Sequence, residues 1–88
     1  MIYKIALTPS AEKQFNKIKS SNRALTNKIT KAFNIISKDP FAGKFLVGEL
    51  KGYHSYRTGD YRLIYEIIKK QIIVLILKIE ERGSVYKN

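Results

Sequence analysis

The segment Ile72 to Ile79, IIVLILKI, is apolar on both sides of a two-residue period, and little else in the chain limits the fold as tightly. Six consecutive apolar residues end at Lys78, well short of the ~20 needed to cross a bilayer, so the segment reads as a strand and not a span. A strand apolar on both sides belongs in the middle of a sheet with both faces covered. Just before it, Tyr61 to Ile68 alternates Tyr61, Leu63, Tyr65 and Ile67 with Arg62, Ile64, Glu66 and Ile68, and Lys69-Lys70-Gln71 makes the turn between the two strands. Tyr53 to Arg57 reads as a further strand. Thr58-Gly59-Asp60 closes it into a hairpin, because Gly supplies a positive φ and Asp tolerates one.

The amino-terminal half has a different period. Ile2 to Leu7 is a strand with Tyr3, Ile5 and Leu7 inward. Thr8-Pro9 then starts a helix, with a hydroxyl for the N-cap and proline at the first helical position. Ala11, Phe15 and Ile18 share one face of it, leaving Lys13, Lys17 and Lys19 outside. After the polar break Ser20-Ser21-Asn22, a second helix buries Leu25, Ile29, Ala32, Phe33 and Ile36, and Asp39-Pro40 ends it. Residues 40–52, with three glycines and a proline, form a crossing loop with room for one short extended piece; another short piece is expected around Val85 and Tyr86. The sum is an α+β fold in a single domain, residues 1–88, with two helices on one face of an antiparallel sheet. The opposite face is left for chemistry.

Composition narrows the function. Chains divide into domains only above about 250 residues, so 88 residues make one. Zero cysteines exclude a disulfide framework, a thiolate zinc site and a cysteine nucleophile, and one histidine excludes a His-rich metal cluster. A reducing cytoplasm is compatible with this, and Lys4 interrupts any signal-peptide run at the start. The net charge of +10 calls for an anionic partner, with nucleic acid first and an acidic protein or anionic membrane behind it. A solubilising surface is the plainer explanation. Residues 1–38 carry eight basic side chains against Glu12 alone, whereas residues 39–88 carry nine against six, so the helices hold the excess.

Arginine is used selectively: four against thirteen lysines, with Arg57, Arg62 and Arg82 in the sheet half. Arg62 in mid-strand suits an anion held by a guanidinium fork, or else an ion pair with Glu66 on the same strand. His54 is the residue that titrates nearest neutrality and so a candidate general base or acid, although a lone histidine at a strand start is more often simply exposed. Glu81 is another candidate base, or an ion-pair partner of Arg82. Tyr86 is placed to stack on a base, whereas Tyr61 and Tyr65 share the apolar face. No GxxxxGKS/T, GxSxG or HExxH pattern and no Mg²⁺ carboxylate cluster occurs, so a nuclease here is expected to work without metal or other cofactor. Attack by a ribose 2′-hydroxyl on its own phosphate meets that condition, and restricts the substrate to RNA.

Leu50-Lys51-Gly52, Tyr56-Arg57, Gly59 through Ile67, Leu77-Lys78-Ile79, Arg82 and Val85-Tyr86, in that order and spacing, resemble the RelE/ParE toxin superfamily. The resemblance implies a RelE-like microbial RNase-type fold and the toxin of a type II toxin–antitoxin system, partnered by a cognate antitoxin. RelE-like members cleave mRNA in the ribosomal A site. By that likeness Arg62 holds the scissile phosphate, Arg82 stabilises the transition state or protonates the leaving group, and Tyr86 stacks on a codon base. Lys51 and Arg57 are implied phosphate contacts, and Lys13, Lys17, Lys28 and Lys31 would meet 16S ribosomal RNA. Two departures matter. Tyr53 and Ser55 stand where some relatives have two lysines, and Glu81 stands where many have histidine, which leaves His54, Glu81 and Lys51 as candidate bases. ParE-like members, which inhibit DNA gyrase, and a non-catalytic binding module remain alternatives.

Overall fold

A computed structural model of the chain describes residues 2–81. The expected element around Val85 and Tyr86 therefore lies outside the described residues. Strand β1 (Lys4–Leu7) runs into helix α1 (Pro9–Ser21), where the Thr8 hydroxyl accepts the Ala11 N–H at 3.2 Å and Pro9 takes the first helical turn. Asn22 serves two helices at once. Its N–H donates to the Ile18 carbonyl to close α1, and its side chain accepts from the Leu25 N–H to open α2 (Arg23–Lys38), so the polar break narrows to one residue. Helix α2 buries Ile29, Ala32, Phe33 and Ile36 and stops at Asp39-Pro40, where a 3₁₀ turn (Pro40–Ala42) takes over. The crossing loop holds the short strand β2 (Lys44–Phe45) and a 3₁₀ turn at Gly48–Leu50.

Strands β3 (His54–Thr58), β4 (Tyr61–Ile68) and β5 (Ile73–Glu81) complete a five-stranded sheet of order β1-β5-β4-β3-β2. The β3–β4 turn has Gly59 at φ +61° ahead of Asp60, as a two-residue hairpin loop requires. The sheet is mixed, not wholly antiparallel. The hairpins leave the outer edge of β5 open, and β1 fills it in parallel, from Lys4 opposite Ile73 to Leu7 opposite Ile76. Both helices lie on one face, where Ala11, Ile29, Ala32, Phe33 and Ile36 pack against Leu63, Tyr65, Val74, Ile76 and Ile79. Tyr3, Ile5 and Leu7 join this core as expected. On β5 the second face is only partly covered, since Ile73, Leu75 and Leu77 keep some solvent contact.

The core positions on β5 are Val74, Ile76 and Ile79, a step of two followed by a step of three. A β-bulge between the Ile64 and Tyr65 rungs causes the shift: Tyr65 pairs with Ile76, but Ile64 pairs with Lys78. Without it, strict alternation would drive Lys78 and Glu80 into the apolar core. With it, Ile79 turns inward and the two charges turn out. The bulge lies beyond the reach of β1, and α1 side chains supply the missing partners. Thr8 Oγ1 donates to the Leu77 carbonyl at 3.1 Å, while the Gln14 amide accepts from the Ile79 N–H at 3.0 Å and donates to its carbonyl at 2.9 Å. Gln14→Ala strips both backbone groups of Ile79 of their partners and is expected to cost about 1–3 kcal/mol, measured by urea unfolding at equilibrium.

Candidate nucleic-acid interface

On the sheet face away from the helices, three charged residues stand side by side across three strands. Arg57 pairs with Arg62 between β3 and β4, and Arg62 pairs with Glu80 between β4 and β5. Two like charges directly opposite one another repel, and Glu80 offsets this from the other flank. Its carboxylate oxygen Oε1 accepts from Arg62 Nε at 3.0 Å and from Nη2, while Lys78 Nζ lies 3.3 Å from Oε2. The hydrogen bonds from Arg62, aided by Lys78 and opposed by partial burial, hold the Glu80 carboxyl below its ordinary range. Arg62 thus pairs with Glu80 and not with Glu66. Four residues along a strand span about 13 Å, whereas cross-strand neighbours sit about 5 Å apart.

The other candidates are placed elsewhere. His54 pairs in register with Tyr65 on the helix-covered face, stacked on its ring at 5.7 Å and flanked edge-on by Phe41 and Phe45. Its Nδ1 is buried without a hydrogen-bond partner, and burial lowers its pKa, which favours the neutral ring. The sheet separates it from Arg62. Glu81 pairs with Tyr61, again on the helix side, and lines a cleft with Asn22, Lys28, Asp60 and Tyr61. There Tyr61 is raised above the ordinary phenol range by burial, then by Glu81 and Asp60. Neither His54 nor Glu81 therefore shares the Arg62 face. Lys13, Lys17, Lys28 and Lys31 are exposed on the helix layer, so their surface is distinct from the Arg57–Arg62 face. Lys51 is exposed just after the Gly48–Leu50 turn. Arg82 and Tyr86 lie outside the described residues. Among the described residues no three His, Cys, Asp or Glu side chains come together as metal ligands.

The sequence profile described as "ParE toxin of type II toxin-antitoxin system, parDE" matches residues 5–86. The chain belongs to the RelE/ParE toxin superfamily. Toxin RelG of Mycobacterium tuberculosis is 34% identical over 88 residues, covering 99% of each chain. Toxin RelE of the same organism is 30% identical over 86 residues, covering 97% of this chain and 87% of its own. The fold agrees with the toxin–antitoxin complex RelBE2 from M. tuberculosis, with a TM-score of 0.80 at 34% identity over 93% of this chain and 100% of that one. Within this RelE/ParE member, Glu80 is the residue that sequence reasoning missed. The signal for it was the change of phase from Val74 and Ile76 to Ile79, which turns Glu80 toward Arg62.

Proposed function

We propose that this RelE/ParE toxin is a metal-independent, ribosome-dependent endoribonuclease that cleaves mRNA in the A site and is held in check by a cognate antitoxin. The observation that carries the reading is the cationic row on the open face, Arg57 and Arg62 on facing strands with Lys78 two rungs along. Three fixed cations on a rigid sheet suit a phosphodiester whose charge grows during attack by the neighbouring 2′-hydroxyl. Arg62 binds the scissile phosphate in this reading, and Arg57 and Lys51 hold flanking phosphates. Arg82 and Tyr86 keep the roles the family resemblance gives them, Arg82 stabilising the transition state or protonating the leaving group and Tyr86 stacking on a codon base. His54, across the sheet, takes no part in proton transfer. The exposed helix lysines Lys13, Lys17, Lys28 and Lys31 contact ribosomal RNA on the other side of the domain. The antitoxin reading draws on the relative solved as a toxin–antitoxin complex.

A gyrase-directed reading has one observation in its favour, the ParE description of the matching family profile. Primer extension on a defined mRNA, with and without programmed ribosomes, separates the two. The expected result is 5′ ends inside the A-site codon only when ribosomes are present. Absence of cuts from protein that still arrests growth would favour gyrase, and absence of both effects a binding module.

A further inference from the structure

Glu80 takes both of its oxygens to cations. One lies between Nε and Nη2 of Arg62, and the other faces the Lys78 ammonium at 3.3 Å. A carboxylate set between a guanidinium fork and an ammonium occupies the position that two non-bridging phosphate oxygens would take. The cluster is open to ligands, with side-chain exposures of 33% for Arg62, 26% for Glu80 and 46% for Lys78. Ion pairs this exposed contribute little to stability, so parting the carboxylate from its cations costs little. Arg57, exposed and directly across from Arg62, adds an unfavourable like-charge contact that a further anion would relieve.

We propose that Glu80 is an internal occupant of the anion site formed by Arg62 and Lys78, and that an RNA phosphodiester displaces it on binding. The proposal rests on the nucleic-acid reading above and makes Glu80 a brake on affinity. The same pairing disfavours Glu80 as a general base. Its proton affinity is depressed by the same two cations, whereas an efficient base titrates near the working pH.

The test is fluorescence anisotropy of a labelled single-stranded RNA oligonucleotide titrated with the full chain over a range of salt concentrations. Glu80→Gln keeps the shape and removes the charge; Glu12→Gln, on the exposed side of α1, makes the same change in net charge away from the site. Glu80→Gln is expected to tighten binding about tenfold, the scale of one charge-assisted hydrogen bond. It should also steepen the log–log salt dependence by about 0.7 for each cation released to a phosphate. Glu12→Gln should change affinity less than about twofold, and adding Arg62→Ala to Glu80→Gln should cancel most of the gain. Equal behaviour of the two glutamine variants, or no binding by any of them, overturns the proposal. Ribosome-dependent cleavage is scored separately on the wild-type chain. A gain in binding without cleavage removes the nuclease reading alone, and cleavage with unchanged Glu80→Gln binding removes this inference alone.

Discussion

Arg62→Ala is expected to lower ribosome-dependent mRNA cleavage about 100- to 1000-fold, the usual effect of deleting one positioned donor to a developing charge. The loss should appear in the chemical step under single-turnover conditions with ribosomes in excess, because the substitution leaves the helix lysines, proposed above to contact ribosomal RNA, untouched. Folding should be almost untouched. Arg62 and Glu80 are both partly exposed, and Lys78 remains beside the carboxylate, so the stability change is expected to stay within about 1 kcal/mol. Arg62→Lys should fail nearly as badly, since an ammonium keeps the charge but loses the fork that presents two N–H groups in one plane. Cleavage by Arg62→Ala within about threefold of wild type would refute the role of Arg62 and leave the cationic row without a catalytic purpose.

The hairpin register becomes legible once the turn read as Thr58-Gly59-Asp60 is shortened by one residue, because Thr58 stays in β3. A two-residue loop at Gly59-Asp60 pairs Thr58 with Tyr61, and counting outward puts Arg57 opposite Arg62 and His54 opposite Tyr65. Once Tyr65 is assigned to the apolar face, His54 must follow it there. Its attraction as a titrating group near neutral pH lay in the residue type alone. Two helix limits were equally plain, because Thr8-Pro9 and Asp39-Pro40 are punctuation with a local mechanism, whereas the break read at Ser20-Ser21-Asn22 is Asn22 alone. What alternation could not supply was the single extra residue of the bulge. Counted straight, the β4–β5 ladder sets Arg62 against Ile79; shifted by one, it sets Arg62 against Glu80. Lys78 and Glu80 share the parity of Val74 and Ile76, and two charges in phase with a core stripe mark a break in register. The parallel pairing of β1 was less accessible, since a four-residue strand carries no sign of which edge it will fill.

Gly43→Ala is expected to be strongly destabilising, and the reason is space, since Gly43 itself is extended at φ −80°. A Cβ built there would lie 2.3 Å from the Tyr65 hydroxyl oxygen and 2.6 Å from the Ser55 carbonyl oxygen. Neither neighbour can yield. Ser55 belongs to β3, paired with Lys44 on one side and Ile64 on the other. Tyr65 is fully buried and donates to the Pro40 carbonyl at 2.6 Å, and burial pushes its phenol up to about 12. The methyl group must therefore lift the 40–45 segment from the sheet, adding about 1–3 kcal/mol of overpacking to a comparable loss from the buried hydrogen bond. A total of about 2–5 kcal/mol is a large share of the roughly 5–15 kcal/mol that holds a domain of this kind together. In thermal unfolding it should lower Tm by about 10 °C or more. Adding Tyr65→Phe removes one of the two clashes and should recover part of the loss, while the Ser55 carbonyl keeps the rest. A Tm within about 2 °C of wild type would show that the loop approaches the sheet less closely than this geometry has it. Because Gly43 packs against Tyr65 on the helix-covered side of the sheet, opposite the Arg57–Arg62–Glu80 face, any Gly43→Ala protein that remains folded in the cold should bind RNA as the wild type does.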